Sequence, residues 1–439
     1  MLLLIILLAQ QSYRVGTWRT NRSIIHDITS YYSYLPAAFI YDDFQFEYRY
    51  ELPQDEPIDH LWVNTRGDTV FQKMSVGLSY FYLPTFLPAH WYTKNFTDYN
   101  ANGFSKPYQM ALNINTLLFG VMGLVLCWLL CMRLFTDQVA AVSLILLYAG
   151  SNLLYYIAGA PGLSHPYSFL LITLLYLISL SIFKNGANKK SIFLLAFTVG
   201  LIVLVRPTNA ILCLFPILYG LQKERKGKTL EILKRPVNWL ILIVAFLIPW
   251  FPQFAYWKYA TGSFLFYSYD QEGFFFAKSH FMDGLFSYRK GWLLYTPLMF
   301  LAIVGLFVNK SFRGLKRPLI IILPLFVFVV FSWWCWWYGG SFGSRVMIDT
   351  YPLLLVGLGG FVGWVLKMKW WKRIPFLATF LFVLILNLNQ TWQYTLGMLH
   401  WDSMSKKAYW SIFLKDKPPS DFQELLVHPD YKKAMEEGE

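Results

Sequence analysis

Residues 332–345, with the sequence SWWCWWYGGSFGSR, place Arg345 directly after an apolar run, an aromatic cluster and a Gly-rich turn. Clusters of tryptophan and tyrosine are typical of the boundary between a membrane and water. A cation near a membrane is costly unless it is paired or reaches the lipid headgroups. Two interpretations of Arg345 stay open: an anchor to lipid phosphates, or a ligand of an anionic substrate at the membrane surface.

Residues 264–295 hold a second dense group of polar and aromatic side chains, among them Tyr288, Arg289 and Lys290. Arg289 and Lys290 come directly before a predicted helix, where positive charge opposes the helix dipole. A phosphate or pyrophosphate group would explain the two cations. Binding to ordinary anionic lipid headgroups would explain them as well.

Two isolated polar residues add to this pattern. Arg206, in the sequence LVRPTN, lies between two apolar runs, and His165, in GLSHP, adds a hydrogen-bond donor in a short turn. Each is a weak signal by itself. Together with Arg289, Lys290 and Arg345 they predict a cationic site that faces a surface carboxylate.

The candidate carboxylate is Asp27. The residues around it predict a helix along the membrane surface, because apolar side chains recur there at helical spacing, namely Ile24, Ile28, Tyr31, Tyr32 and Leu35. A carboxylate at the edge of a low-dielectric region is a candidate general base, since desolvation raises carboxylate pKa values. The alternative, a charge that complements the helix dipole, has equal weight.

The composition predicts an all-α polytopic membrane protein. Hydrophobic residues make up 56% of the 439 residues and charged residues only 14%, and several apolar runs approach the roughly 20 residues that cross a bilayer. The runs predict helices at about 111–132, 139–158, 167–183, 191–205, 208–221, 237–257, 292–308, 318–338, 346–366 and 374–396. The two segments within 191–221 are short, and we expect them to meet at Arg206-Pro207.

The first ten residues are apolar but too short for a span. We expect them to be the end of a truncated first transmembrane helix, which makes the expected number of spans about eleven. The predicted organisation is then a span end at 1–10, an external catalytic loop with juxtamembrane helices at 11–110, transmembrane helices at 111–257, an external loop at 258–291, transmembrane helices at 292–396 and an external tail at 397–439.

The distribution of charge predicts the orientation. Five short loops hold 18 of the 38 Lys and Arg residues but only 3 of the 25 Asp and Glu residues, namely 133–138, 184–190, 222–235, 309–317 and 367–373. The positive-inside rule places these loops in the cytoplasm. This assignment explains the net charge of +13, so a nucleic-acid partner is not needed.

The sequence contains no signal for a cofactor or a metal. The four cysteines, Cys127, Cys131, Cys213 and Cys335, fall in predicted spans and are expected to be packing residues. The chain has no CxxC or HExxH spacing and no nucleotide-binding glycine loop.

Four segments resemble the GT-C superfamily of integral-membrane glycosyltransferases. The resemblance is strongest to the branch of protein O-mannosyltransferases, aminoarabinose transferases and mannosyltransferase-like proteins, in the form found in Bacteroidetes-type bacteria. The segments are HDITSYYSYLPAAFIY at 26–41, LVRPTN at 204–209, FSYRKGWLLYTP at 286–297 and WWYGGSFGSR at 336–345.

The resemblance implies a GT-C-like fold and a mechanism. A sugar on a polyprenyl phosphate enters from the outer leaflet, and Asp27 accepts the proton of an acceptor hydroxyl as that oxygen attacks the anomeric carbon. Transfer is expected to invert the anomeric carbon. The departing phosphate is expected to bind Arg206, Arg289, Lys290 and Arg345.

The expected partners are the polyprenyl-phosphate sugar donor, membrane lipids, and an acceptor glycan, lipid or protein. The expected location is the bacterial inner membrane, with the active site of a multi-pass protein facing the periplasm. Substrate contacts are expected from His26, Tyr31, Tyr32, His165, Glu272, Tyr288 and Ser341.

A flippase or transporter of lipid-linked saccharides is the main alternative. Transporters commonly have internal repeats and charged residues near the membrane midplane, whereas the predicted spans here are nearly free of charge and show no convincing repeat. A scaffolding membrane protein would leave Asp27 and the cations unexplained, so it is the least favoured interpretation.

Overall fold

The computed structural model describes residues 2–52, 63–308 and 313–439. Helices hold 71% of the residues, and the strands in the described part are a short antiparallel hairpin, β1 Asn64–Arg66 and β2 Thr69–Phe71. The chain is therefore all-α, as predicted. Residues 53–62 of the predicted external loop and 309–312 of a predicted cytoplasmic loop lie outside the described residues.

The chain forms two compact units, each built from three segments. Unit 1 consists of Met1–Gly123, Tyr156–Ala210 and Glu224–Asp270. Unit 2 consists of Leu124–Tyr155, Ile211–Lys223 and Gln271–Glu439.

Unit 1 contains short helices in the segment predicted to lie along the membrane surface, and several apolar helices. One of its helices begins with a reciprocal capping box, in which the side chains of Asn188 and Ser191 each accept the backbone N–H of the other residue. In chain order the helices are α1 Leu2–Val15, α2 Asp27–Tyr32, α3 Tyr34–Pro36, α4 Ser79–Phe96, most of α5 Lys106–Leu134, then α8 Ser164–Asn185, α9 Lys189–Val205, α11 Lys226–Leu233, α12 Pro236–Leu247 and α13 Phe251–Thr261. Helix α9 packs against both α8 and α12.

Unit 2 contains the remaining helices. They are α6 Asp137–Ala149, α10 Phe215–Gly220, α14 Phe281–Phe286, α15 Trp292–Tyr295, α16 Leu298–Val308, α17 Arg313–Val330, α18 Tyr351–Leu366, α19 Trp370–Thr395, α20 Lys406–Ile412 and α21 Tyr431–Glu437, while α7 Leu153–Ala158 crosses the boundary between the units in the chain. Helices α16 and α18 pack closely against each other. A Cβ atom on Gly305 would collide with the backbone of Gly357, so these glycines allow the two helices to touch.

Among the residues that the structure describes, five helices are long and apolar enough to cross a membrane. They are Lys106–Leu134, Ser164–Asn185, Pro236–Thr261, Arg345–Leu366 and Trp370–Thr395. The first two contain the predicted spans 111–132 and 167–183, and the others cover the predicted spans 237–257, 346–366 and 374–396 to within one residue. The expected total of about eleven spans stays a prediction.

The predicted single helix at 139–158 is wrong, because α6 ends at Ala149 and α7 begins at Leu153. The side chain of Asn152 is used in tertiary hydrogen bonds within unit 2. Its Nδ2 donates to Phe342 O at 3.1 Å and its Oδ1 accepts from Tyr351 OH at 2.6 Å. These bonds hold the backbone out of a continuous helix.

The predicted helix at 292–308 is also interrupted, since Pro297 separates α15 from α16 and has no N–H to continue the helix. The predicted helix at 318–338 ends early, at Val330. Beyond it the backbone pairs with another segment of unit 2: Phe275 N donates to Ser332 O at 2.7 Å and Trp334 N donates to Gly273 O at 3.0 Å. The aromatic cluster therefore lies in turns and not in a helix.

Candidate functional site

Arg289 and Lys290 lie in the turn between α14 and α15 of unit 2. Gly291 makes this turn tight, because a Cβ atom there would meet Ser287 O at 2.5 Å. The Gly291 N–H donates to the same carbonyl at 2.8 Å. The two neighbouring cations leave the turn into different surroundings, since Lys290 is buried and Arg289 is half-buried.

Lys290 joins two segments that are far apart in the sequence. Its Nζ donates to the carbonyl of Ser341 in the Gly-rich turn and, at 2.5 Å, to the carbonyl of Trp401 in the C-terminal segment. Only 2% of Lys290 is exposed. Its ammonium group therefore binds backbone carbonyls inside unit 2.

Burial, together with the neighbouring charges, shifts the pKa of Lys290. Burial lowers the pKa of Lys290 to about 7, although the carboxylate of Asp402 opposes this shift. The positive charges of Arg345 and Arg289 lower the pKa further. The three predicted phosphate ligands Arg289, Lys290 and Arg345 are thus close enough to interact electrostatically.

Arg289 holds the same C-terminal segment as Lys290. Its guanidinium donates to Asp402 O at 2.6 Å and to Val427 O at 3.0 Å, and it lies 5.6 Å from the centroid of the Trp337 ring. Burial lowers the pKa of Arg289, and the charge of Asp402 opposes that shift. The adjacent pair Arg289-Lys290 therefore fastens the C-terminal segment through backbone carbonyls.

Asp402 is the main residue of this site that the sequence interpretation missed. Asp402 is only 2% exposed. It accepts hydrogen bonds from Ser403 Oγ at 2.5 Å and from Tyr431 OH at 2.8 Å, and it lies 3.3 Å from His400 Nδ1. The sequence offers one signal for it, an acidic residue within the mainly apolar and aromatic stretch MLHWDSM at 398–404. The prediction for this tail was only that it is external.

The Gly-rich turn positions Arg345 and Ser341. Gly339 and Gly343 have φ values of 59° and 58°, which favour glycine. Ser341 is buried and its Oγ donates to Gly343 O at 3.1 Å. Half-buried Arg345 is the first residue of a 3-10 turn, Arg345–Thr350, that leads into α18. Arg345 therefore lies at the end of a helix that is long and apolar enough to cross a membrane.

Two other predicted substrate ligands of unit 2 contact tryptophans. Glu272 Oε2 accepts from Trp334 Nε1 at 3.0 Å, and Tyr288 OH accepts from Trp410 Nε1 at 3.1 Å. Both Glu272 and Tyr288 keep part of their surface exposed. These bonds fix the orientation of the Trp334 and Trp410 rings.

In unit 1, Asp27 is the first residue of α2. Gln109 on α5 holds the chain just before it, since its Oε1 accepts from the N–H groups of Ser23 and Ile24, each at 2.9 Å. His26 has a φ of 52° and a ψ of −134°, a conformation that costs energy in a non-glycine residue. Asp27 is half-buried and His26 is exposed, so the carboxylate keeps surface for a substrate.

Tyr31 and Tyr32, which were expected to contact substrate, are packing residues in the described part of unit 1. Tyr32 is 2% exposed, its hydroxyl donates to Gly103 O at 2.8 Å, and its ring packs edge-on against Phe86 at 5.8 Å. Tyr31 is 6% exposed, and its carbonyl accepts from Ser79 Oγ at 2.6 Å. Their helical spacing therefore indicates a buried face, together with Ile28.

Arg206 and His165 come together near the start of α8. Arg206 ends α9, as its position before Pro207 predicts, and its Nη1 donates to Ser164 Oγ at 3.1 Å. His165 is buried, and its ring lies 5.7 Å from that of Tyr156. In this place His165 has little surface for a substrate, whereas Arg206 is partly exposed.

The predicted site residues thus form two sets. Unit 2 holds Glu272, Tyr288, Arg289, Lys290, Ser341 and Arg345, and unit 1 holds His26, Asp27, Tyr31, Tyr32, His165 and Arg206. Beside Arg289, unit 2 has an open cleft of about 560 Å³. Within the residues that the structure describes, no three side chains of His, Cys, Asp or Glu are grouped as metal ligands. The four cysteines are buried, and none of them is in a disulfide bond.

Comparison with protein-family models, with curated proteins and with solved structures gives no match for this chain.

Proposed function

We propose that the chain is a membrane-embedded glycosyltransferase that moves a sugar from a polyprenyl-phosphate donor to a hydroxyl of a glycan, lipid or protein. The observation that carries the proposal is the cation cluster of unit 2. Arg289, Lys290 and Arg345 interact electrostatically, and Arg345 begins a helix that is long and apolar enough to cross a membrane. Such a cluster suits a phosphate whose lipid chain lies in the bilayer.

The chemistry follows from the charges. The acceptor oxygen forms a bond to the anomeric carbon, the bond from that carbon to the phosphate oxygen breaks, and the acceptor proton passes to a carboxylate. The leaving group carries the new negative charge, and fixed cations in a water-poor site stabilise it. We assign this role to Arg345 and Arg289, and we assign to Lys290 the positioning of the Gly-rich turn.

Asp27 is the proposed base. It is half-buried, and Gln109 fixes the chain that leads into it. A positioned general base contributes about 10²–10⁴-fold to the rate of such a step. The proposed location is the inner membrane of a bacterium with the reaction on the periplasmic side, because the basic loops are assigned to the cytoplasm by the positive-inside rule.

The test is a reconstitution of the full chain in proteoliposomes with a panel of radiolabelled polyprenyl-phosphate sugars and cell-envelope acceptors. We expect release of polyprenyl phosphate by the wild type and a loss of about 10²–10⁴-fold in Asp27→Asn. Asp98→Asn is the matched control, since Asp98 is an exposed carboxylate in the same predicted external segment.

Two outcomes would contradict parts of the proposal. Release that Asp27→Asn leaves unchanged would remove Asp27 as the base while keeping the transferase. No release with any donor, together with movement of the labelled lipid between leaflets, would replace the transferase with a flippase.

A further inference from the structure

Two basic segments of unit 1 come together at one end of its apolar helices. The first segment, residues 184–190, joins α8 to α9, and the second, residues 224–235, contains α11 and leads into α12. Lys228 Nζ in the second segment donates to Phe183 O, near the end of α8, at 2.8 Å. The two segments therefore form one surface, which we call the basic surface of unit 1.

The basic surface carries a large excess of positive charge. It holds eight Lys and Arg residues and only two carboxylates, Glu224 and Glu231. Each carboxylate pairs with an arginine, since Glu224 lies 4.0 Å from Arg225 and Glu231 lies 3.1 Å from Arg235. Within the described ranges 2–52, 63–308 and 313–439, the other six cations form no ion pair with a carboxylate, and all are exposed lysines, namely Lys184, Lys189, Lys190, Lys226, Lys228 and Lys234.

Two of these lysines oppose a helix dipole. Lys189 and Lys190 are the first two residues of α9, and the first turn of this helix contains no acidic residue. The N-terminus of a helix carries partial positive charge, so cations there are unfavourable unless an anion lies nearby. An anionic partner on the basic surface would explain why the helix begins with two lysines.

Helix α11 presents apolar side chains beside these charges. Leu230 and Leu233 are 44% and 37% exposed. Because residues three or four apart share a helix face, the two leucines lie on the same face as Lys226 and Lys234. Lys228 lies on the opposite face, which is the face toward α8. Exposed leucines between lysines are typical of a helix in the membrane interface, where the lysines reach lipid headgroups.

The apolar face of α11 continues onto α12. Two hydrogen bonds fix the junction, since Trp239 Nε1 donates to Leu233 O and Asn238 Nδ2 donates to Ile232 O, each at 2.8 Å. Trp239 is 49% exposed and lies near the start of Pro236–Thr261, a helix long and apolar enough to cross a membrane. Tryptophan is enriched at the membrane–water boundary. This continuity favours a membrane over a soluble polyanion, which would contact the charges alone.

We propose that the basic surface of unit 1 binds the headgroups of anionic phospholipids, with α11 lying along the membrane surface. Leu230, Leu233 and Trp239 enter the boundary between headgroups and lipid chains, and the exposed lysines bind phosphate oxygens. The ligand class is a phospholipid with net negative charge, such as phosphatidylglycerol. The assignment is independent of the proposed transferase reaction, because no residue assigned to that reaction belongs to the basic surface.

The first test compares an anionic lipid with a zwitterionic one. The full chain in a neutral detergent is titrated with dioleoylphosphatidylglycerol or with dioleoylphosphatidylcholine, and native mass spectrometry measures the lipid that stays bound. We expect the anionic lipid to bind about tenfold or more tightly at low salt, and the difference to shrink at high salt. Equal affinity for the two lipids, or a preference that salt leaves unchanged, would overturn the proposal.

Matched triple variants locate the binding of phosphatidylglycerol. The surface variant removes three charges of the basic surface, by Lys189→Gln, Lys190→Gln and Lys226→Gln. The control variant removes three exposed charges of the C-terminal segment, by Lys415→Gln, Lys417→Gln and Lys432→Gln. A basic residue at an anionic membrane contributes about fivefold to the affinity, so the surface variant should lose about tenfold or more and the control at most about twofold. Equal losses in the two variants would contradict the assignment.

A fluorophore on α11 distinguishes a membrane from a soluble polyanion. The four native cysteines are buried, so Leu230→Cys adds one exposed thiol for an environment-sensitive dye. In nanodiscs of phosphatidylglycerol, the dye at position 230 should give blue-shifted emission, as in an apolar medium. Ser420→Cys, at an exposed polar position, is the control and should give emission typical of water. Water-like emission from position 230 would refute the membrane contact and leave a soluble polyanion as the partner.

Discussion

The two units bury different kinds of polar groups. Among the described residues, the buried Lys, Arg, Asp and Glu side chains are Lys290, Asp349 and Asp402, and all three belong to unit 2. The polar side chains that unit 1 buries are amides, hydroxyls and one histidine. Burying a charge costs far more free energy than burying a hydroxyl or an amide. The buried charges of unit 2 therefore require an explanation that the polar groups of unit 1 do not.

The neutral network of unit 1 has a structural explanation. Asn115 Nδ2 donates to Phe81 O at 2.7 Å, while its Oδ1 accepts from Tyr167 OH at 2.7 Å. Thr116 Oγ1 in turn accepts from the Gly162 N–H at 2.8 Å. These bonds satisfy loop and helix backbone inside an apolar unit, so they need no ligand to account for them.

The charged network of unit 2 is harder to explain by stability alone. Replacing buried ion pairs by apolar residues is often neutral or stabilising. Lys290 and Asp402 nevertheless lie beside the half-buried cations Arg289 and Arg345. We infer that the network positions these two cations for an anion, which agrees with the proposed function.

The largest expected effect comes from Asp402→Asn at pH 6. The change leaves the ammonium of Lys290 buried beside two other cations, so we expect unfolding to become easier by about 3–5 kcal/mol. Chemical unfolding in detergent, followed by tryptophan fluorescence, measures this. Asp416→Asn, at an exposed carboxylate of the same C-terminal segment, is the control and should change little.

Raising the pH should reduce the effect of Asp402→Asn, since Lys290 can then lose its proton. A loss of stability that is the same at pH 6 and pH 9 would show that the carboxylate acts only as a hydrogen-bond acceptor for Ser403 and Tyr431.

In unit 1 the corresponding change is Gln109→Met. It removes the acceptor for the N–H groups of Ser23 and Ile24, and buried donors without partners cost about 1–3 kcal/mol. No charge changes, so the loss should be equal at pH 6 and pH 9 in the same unfolding measurement. A clear pH dependence would mean that unit 1 also relies on a buried charge.

Long apolar helices were the most predictable part of the fold. The run at 167–183 lies within Ser164–Asn185, and the run at 374–396 ends one residue beyond Trp370–Thr395. Hydropathy does not detect breaks that depend on distant partners. The break at Asn152 depends on Tyr351 and Phe342, and the early end of α17 depends on backbone pairing with residues 273–280.

The site was predictable only in part. The sequence indicated the cations Arg289, Lys290 and Arg345, and the structure brings these three together. Arg289 and Lys290 are neighbours in the sequence, which suggested a shared role. The tight turn at Gly291 instead buries Lys290 and leaves Arg289 half-exposed. Asp402 reaches the site only because the C-terminal segment folds onto the turn that holds Arg289 and Lys290. Local sequence patterns do not predict such a long-range contact.

Lys290→Met tests the buried charge through its pH dependence. Folding moves the pKa of Lys290 from its ordinary value of 10.5 to about 7. Between these values the unfolded chain binds a proton that the folded chain has released, so Lys290 makes the wild type more stable as the pH rises from about 7 toward 10.5. The slope is at most about 1.4 kcal/mol per pH unit.

The free energy of unfolding of the wild type and of Lys290→Met is measured in detergent between about pH 7 and pH 10.5. We expect it to rise less steeply with pH in Lys290→Met, by up to about 1.4 kcal/mol per pH unit. Equal slopes would place the proton release on another group. Lys407→Met, which removes an exposed lysine, is the control and should keep the wild-type slope.

The smallest expected effect comes from a charge of unit 1 at its surface. Asp270 pairs with Arg66 at 2.7 Å, and both side chains are about half exposed, at 54% and 46%. Water and salt weaken such a pair, so Asp270→Asn should cost only about 0.2–1 kcal/mol, and less at high salt. The same unfolding measurement at low and high salt checks this. Asp270→Asn could instead lower the free energy of unfolding as much as Asp402→Asn does. Burial of charge would then not distinguish the two units, and the reason for assigning the anion site to unit 2 would be lost.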